Sequence, residues 1–263
     1  MGTNNTNNAG NAIGEKTYIF NLNGTLTEPK AKIDSEMLDL LKKLITAGNY
    51  IGIMTGSSWK SVLNQVIYQV PEKEQYLLNF IYPLTCNGNA MYTHWPRYGW
   101  IPEYETGLSD DNHTRVKHAL NKISVCRDKC YGKQIEYFVG QYTFAAMGHN
   151  APVSEKMSYD PDRSKRKEIA LHLAKELYDF EVYVSGNSSI DIVKRGMNKK
   201  LGIDRLMARV RASKGDVTYI GNEIFEGGAD YLVQDMGLNN YSVSCVKETK
   251  EFIRRLIPTG RKQ

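Results

Sequence analysis

The chain has 263 residues, 41% hydrophobic and 24% charged, with four cysteines and a net charge of +5. That length holds one large domain or two modest ones with ordinary globular composition, and no apolar run is long enough to span a bilayer. The mild basicity suits an anionic ligand, but no Lys/Arg stripe with interleaved aromatics points to nucleic acid, and no charged start with an apolar segment marks secretion.

Cys86, Cys126, Cys130 and Cys245 fit a reduced, cytoplasmic protein. Cys126 and Cys130 are expected to share a helix face as structural residues, since no second ligand pair accompanies them. Residues 1–15, "MGTNNTNNAGNAIGE", carry almost no large apolar group and are expected to form a disordered tail. Their start matches the short myristoylation pattern, but a plain tail is the better reading.

"TYIF" begins a buried strand, and "DSEMLDLLKKLITAGN" is a capped amphipathic helix stopped by Gly48. "YIGIMTGSS" is a second strand, a helix is expected from about Lys60 to Val70, and "FIYPLTCNG" is a third strand turning at Asn87-Gly88. Strand–helix alternation predicts an α/β fold, a doubly wound parallel sheet that binds ligands at the carboxyl ends of its strands. From 91 to 187 the rhythm becomes α+β, with the basic helix "NHTRVKHALNKI", the β-type run "QIEYFVGQYTFAAMG", the helix "KRKEIALHLAKELY" and the strand "FEVYVSG". "DVTYIGNEIFEGGADYLV" and "YSVSCV" resume the first rhythm. The expected division is a core of 16–90 and 188–263 with an inserted cap of 91–187. The run "RSKRK", Arg163 to Lys167, reads as a solvated helix start.

Four short stretches carry the chemistry. "FNLNGTLT", "MTGSS", "DIVKRGMNKK" and "IGNEIFEGGAD" resemble, in order and spacing, the four motifs of the haloacid dehalogenase superfamily, and the inserted cap is similar to that of its phosphomannomutase-like branch. The resemblance covers nearly all of the chain after the tail. It implies Mg2+-dependent phosphoryl transfer on a small phosphorylated metabolite such as a hexose phosphate. In that family the first motif is DxDGTLT. Its first aspartate attacks phosphorus and its second protonates the leaving oxygen. Thr55, with Gly56 and Ser57, and Lys199 correspond to the groups that hold the phosphoryl oxygens. The implied Mg2+ set is Asn21, Asn23 through a backbone carbonyl, Asn222, Glu223 and Asp230.

The chain departs from this pattern where it matters most. Asn21 stands at the nucleophile position and Asn23 at the acid/base position. An amide oxygen is a poor nucleophile, cannot shuttle a proton at neutral pH, and is a weaker ligand for Mg2+. Asn222 is an amide at a metal position too, but the resembled branch has the same "GNE" there, so Asn222 alone is no sign of lost activity. The exchange is nearly isosteric and removes repulsion in an anionic pocket, so the fold is expected to survive it. Two alternatives follow: an inactive form that traps its substrate, or a pseudoenzyme that binds a phosphorylated sugar or nucleotide without turnover.

The cap departs too. Tyr131 and Phe138 stand at two positions where the family has phosphate-gripping arginines, His149 lies near a third, and Lys30 replaces an arginine in the hinge region. Losing bidentate guanidinium grips favours a ring-bearing monophosphate over a bisphosphate. Ser189 and Asp191, in "SSIDIV", match residues near the sugar hydroxyls. His94, His113, His118 and His172 show no metal-ligand spacing. A homodimer through the cap is also expected.

Overall fold

The computed structural model describes residues 16–123 and 130–257. The tail, its myristoylation-like start and Cys126 lie outside them.

The larger sheet begins with β1 (Thr17–Asn21), β2 (Tyr50–Met54) and β3 (Ile81–Thr85), all parallel. Strands β4 (Ala90–Trp95) and β5 (Gly99–Glu105) continue it as an antiparallel hairpin. On the other side β1 pairs in parallel with β10 (Val217–Gly221), which pairs with β11 (Asn239–Ser242). The order is β11-β10-β1-β2-β3-β4-β5. Register builds the site: Asn21 lies opposite Met54 and Phe20 opposite Ile220, so the residues following β1, β2 and β10 emerge side by side.

Helix α1 (Ser35–Thr46) starts at Asp34, whose carboxylate accepts from Met37 N at 2.9 Å. It buries Met37, Leu40, Leu41, Leu44 and Ile45 against the sheet, where α2 (Trp59–Gln65) and α7 (Val246–Leu256) join the same core. Helix α6 (Lys199–Val210) covers the opposite face through Ile203 and Leu206. The helix expected to reach Val70 ends at Gln65 and passes into a 3-10 turn over Ile67–Gln69. Val66 leaves helical geometry, and Pro71 forces Val70 to be extended.

The smaller sheet is antiparallel, ordered β6-β7-β9-β8: β6 (Ile135–Phe138), β7 (Gln141–Ala145), β8 (Phe180–Ser185) and β9 (Ser189–Lys194). Helices α3 (Asp110–Asn121) and α5 (Ser164–Glu176) pack on it, and α4 (Val153–Tyr159) lies between β7 and α5 in the chain. The sheets therefore divide the chain differently from the boundaries at 90/91 and 187/188. The tight turn after β3 folds β4 and β5 back onto the larger sheet, while β9 completes the smaller one beside β7 and β8. Cys130 is exposed and lies outside any helix, since α3 ends at Asn121, so it shares no helix face with another cysteine. Among the described residues no helix is long and apolar enough to cross a membrane.

The basic run "RSKRK" is not simply solvated. Arg166 is buried, and its Nε donates to Asp160 Oδ2 at 2.9 Å. Its Nη1 donates to the carbonyls of Ser185 and Gly186 at 3.0 and 2.8 Å, which ties α5 to the β8–β9 turn. Burial raises the Asp160 pKa, but hydrogen bonds from Arg166 and Lys165 outweigh it, leaving the carboxyl below its ordinary range. The stability this gives is present above the unfolded carboxylate pKa and is lost as pH falls through the depressed folded value. Arg166→Met would strand a buried carboxylate. It is expected to destabilise the protein by about 3–5 kcal/mol in urea denaturation, and an unchanged midpoint would contradict this.

Candidate active site

The carboxyl ends of the larger sheet and the facing surface of the smaller one enclose a cavity of about 550 Å³. Asn21, Asn23, Lys30, Thr55, Gly56, Ser57, Lys199, Asn222 and Glu223 line it from the core side. Phe138, His149, Ser189 and Asp191 line it from the cap side. Such a volume suits a small-molecule ligand.

At the end of β1, Asn21 Nδ2 donates to Asn222 Oδ1 at 2.9 Å, and Asn21 Oδ1 accepts from Leu22 N at 3.0 Å. Thr25 Oγ1 donates to the same Asn222 oxygen at 3.3 Å. Asn23 Oδ1 accepts from Lys30 N at 3.0 Å. Gly24, with φ +80°, makes this turn possible, because a Cβ there would meet Asn222 Nδ2 at 2.7 Å. At the end of β2, Thr55 is buried and its Oγ1 accepts from Ser57 N at 3.0 Å.

Lys199, first residue of α6, donates from Nζ to Asp230 Oδ1 at 2.6 Å, as does the Tyr219 hydroxyl at 2.6 Å. Burial and the neighbouring Asp230 push the Tyr219 pKa far up, which keeps that hydroxyl a donor. Asp230 Oδ2 is buried with no partner among the described residues. Glu223 Oε1 accepts from Arg163 Nη2, a cap residue, at 2.6 Å.

The smaller sheet meets the segment after β2 directly. Gln141 Nε2 donates to the Gly56 carbonyl at 2.8 Å, and Asn87 Nδ2 donates to Gln141 Oε1 at 2.9 Å. Asp191 accepts from Thr143 Oγ1 at 2.7 Å and from Asn87 Nδ2 at 3.3 Å. Burial raises the Asp191 pKa against the pull of those hydrogen bonds and of Lys199.

At the other end of the cavity, Lys156 Nζ and Lys30 Nζ donate to one carbonyl, that of His149, at 2.8 and 3.4 Å. Desolvation, reinforced by Lys30, lowers the Lys156 pKa to about 8. His149 Nδ1 faces Glu136 Oε2 at 3.2 Å, and burial lowers the histidine's pKa against that carboxylate. His149 Nε2 is buried without a partner among the described residues.

Of the residues named from the sequence, Asp230 is fully buried and meets the cavity only through Lys199, and all the others line it except Tyr131. That residue lies outside the cavity lining, with its hydroxyl 3.4 Å from Glu155 Oε1. Its backbone N–H pairs with Met147 O, which holds it alongside the segment after β7 rather than over the core. Sequence reasoning missed Asn87, Gln141, Thr143, Lys156 and Arg163. The left-handed "CNG" turn was a signal for Asn87, whose φ is +55°. Lys156, on a short helix with no strong pattern, gave none.

The family implies Mg2+ at the Asn21–Asn222 end. Mg2+ takes an octahedral oxygen set in which carboxylates supply the charge. Two of the four side-chain positions here, Asn21 and Asn222, are amides, and their oxygens already accept hydrogen bonds. Each of the two carboxylates already faces a side-chain cation. The donor set as folded does not fit the ion.

Gln141→Leu removes the donor to Gly56 and the acceptor for Asn87. Amide exchange across residues 55–58 is expected to speed by about tenfold, the equivalent of roughly 1.4 kcal/mol of local protection. Unchanged exchange would show that the cap does not brace this loop.

A family model for haloacid dehalogenase-like hydrolases matches residues 18–224. Phosphomannomutase 1 of Mus musculus is 25% identical over 252 residues, covering 90% of each chain. The phosphomannomutase of Arabidopsis thaliana is 23% identical over 234 residues, covering 82% of this chain and 86% of the relative. Among solved structures, IMP-bound, N-terminally truncated IMP-nucleotidase of Plasmodium falciparum superposes with a TM-score of 0.71 at 16% identity, covering 92% of this chain and 68% of that one. A haloacid dehalogenase subclass IIB sugar phosphatase gives 0.62 at 14% identity, covering 92% and 98%. With that family match spanning most of its length, and its four motifs meeting at one cavity, the chain belongs to the haloacid dehalogenase-like hydrolases and is similar to their phosphomannomutase branch.

Proposed function

We propose that this chain binds a small phosphorylated metabolite, a sugar phosphate or a nucleotide, and holds it without turnover. The observation that carries the reading is the placement of Asn21. Its amide is held between Asn222 and Leu22 N at the point where the family's nucleophile would stand. A neutral amide neither attacks phosphorus nor leaves as a carboxylate, and Asn23 cannot exchange a proton with a leaving oxygen. The same amides weaken any Mg2+ site.

The rest of the phosphate site is kept. Thr55 and Lys199 supply a hydroxyl and an ammonium at the strand ends, where a phosphoryl group would sit. The ligand class is supported by the relatives: phosphomannomutases in sequence, and in fold an IMP-nucleotidase and a sugar phosphatase. An aspartate-to-asparagine mutant of that IMP-nucleotidase is itself a structure with IMP bound.

Lys30 and Lys156 indicate what lies at the ligand's far end. Among the described residues neither ammonium has a carboxylate partner, and both share one carbonyl. Two cations held this way favour an electronegative group. This reverses the single-phosphate preference that the loss of the cap arginines implied.

Calorimetric titration with a hexose monophosphate and the matching bisphosphate tests the reading. Both are expected to bind, the bisphosphate about tenfold tighter, and Lys156→Met is expected to abolish the difference. No binding of either ester, nor of IMP, would overturn the function.

Lys156 also fixes a pH dependence. An adjacent anion favours its charged form, so the complex keeps a proton that the free protein releases above pH about 8. Bisphosphate affinity is therefore expected to fall as pH rises past that value, by up to about tenfold per pH unit, and Lys156→Met should flatten the profile. A flat profile in the unchanged chain would contradict this.

Asn21→Asp with Asn23→Asp restores the nucleophile, the acid/base and a carboxylate for the ion, with Thr55 and Lys199 intact. The double variant adds a carboxylate at position 21 that neither Arg163 nor Lys199 holds, and it is expected to regain Mg2+-dependent ester hydrolysis by several orders of magnitude. If it binds the esters and stays inert, the defect lies beyond the two amides. Mass spectrometry must accompany the assay, because Asn23-Gly24 is prone to deamidation.

A further inference from the structure

We propose that this site takes its phosphorylated ligand without a divalent cation, because Arg163 of the cap and Lys199 of the core already hold the two carboxylates that the ion would need. The inference rests on the ligand-binding function above and concerns how charge is balanced there.

The first carboxylate is Asp230. One oxygen accepts from Lys199 and from Tyr219, both at 2.6 Å. The other is fully buried against Gly221, where even an added Cβ would meet it at 2.7 Å. That oxygen has no partner among the described residues, but Asp230 is fully buried and does not line the cavity, so a hydrated ion there does not reach it directly.

The second carboxylate is Glu223, and what faces it is built rather than incidental. Asp160 accepts from the backbone N–H groups of Lys165 and Arg166, each at 3.1 Å, which fixes the turn that opens α5. Arg163 sits in that turn in the left-handed region, with φ +64°. Its guanidinium crosses to the core, meets Glu223 at 2.6 Å, and lies 5.8 Å from the centre of the Phe225 ring. The pair is largely sheltered, with side-chain exposures of 27% and 14%, so solvent screens it less than a surface pair. An ion bound at Glu223 would have to displace this arginine and loosen the cap from the core.

The amides complete the case. Asn222 Oδ1 is already shared by two donors, and Asn21 turns its Nδ2 donor toward that oxygen. Charge balance for an anionic ligand then comes from the cavity-lining lysines Lys30, Lys60 and Lys156.

Two readouts on the unmodified full chain test this. Mannose 1-phosphate is titrated calorimetrically with excess MgCl2 and with EDTA, and Mn2+ binding is followed by electron paramagnetic resonance. The expected results are ester affinities within about twofold of each other and no saturable Mn2+ site at sub-millimolar ion. Arg163→Gln should uncover Glu223. Ester affinity in EDTA should then fall about tenfold and a Mn2+ site should appear, with Glu223→Gln added to the same chain reversing both changes. A loss of more than about tenfold in ester affinity on adding EDTA to the unmodified chain would overturn the inference while leaving the ligand-binding function intact. A saturable Mn2+ site with Arg163 in place would do the same. Failure of the ester to bind under either condition would overturn both.

Discussion

The hydrogen bond from Asn21 Nδ2 to Asn222 Oδ1, 2.9 Å long, sets the character of this site. It joins the ends of β1 and β10, the two strands whose carboxyl ends supply the first and fourth motifs. A carboxylate at position 21 has no proton to give Asn222 and would repel its oxygen. Beyond its part in the proposed function, the amide links the ends of the two strands that carry the first and fourth motifs. The acids nearby pair with side chains, Asp230 with Lys199 and Glu223 with Arg163.

The cap takes part in the same electrostatic arrangement. Its Arg163 reaches the fourth motif, its Gln141 reaches the carbonyl of Gly56, and its Lys156 meets Lys30 of the core over one carbonyl. Two of these three are attractive as they stand. The third brings like charges together, and an anion between them would relieve the repulsion. In the proposed function, the ligand supplies the charge that the lysine end lacks, while Arg163 at the other end is already paired.

Much of this was legible in the sequence, because it depends on local signals. A strand's end, a Gly-Thr or Thr-Gly turn and a following helix fix where Asn21, Thr55 and Lys199 emerge, and parallel register then brings them together. What was not legible depends on pairing across long stretches of chain. Strand β9 reads like a core strand, yet it pairs antiparallel with β7 and β8 in the smaller sheet. Arg166 sits in a run that looks solvated, and only the turn after β8 shows why it is buried. Tyr131 and Lys156 show the same limit from opposite sides. Alignment put Tyr131 toward the ligand when it lies beside Glu155, and nothing in the pattern around Lys156 announced that α4 would place it in the cavity wall.

The central claim is that the phosphate ester is held intact. Phosphorus NMR of the chain saturated with mannose 1-phosphate and Mg2+, followed over a day at neutral pH, tests it most directly. The account predicts one ester signal, perturbed by binding and undiminished in area, with unmodified ester recovered on denaturation and no phosphate left on the protein. A growing signal of inorganic phosphate, or a phosphorylated chain, would contradict it.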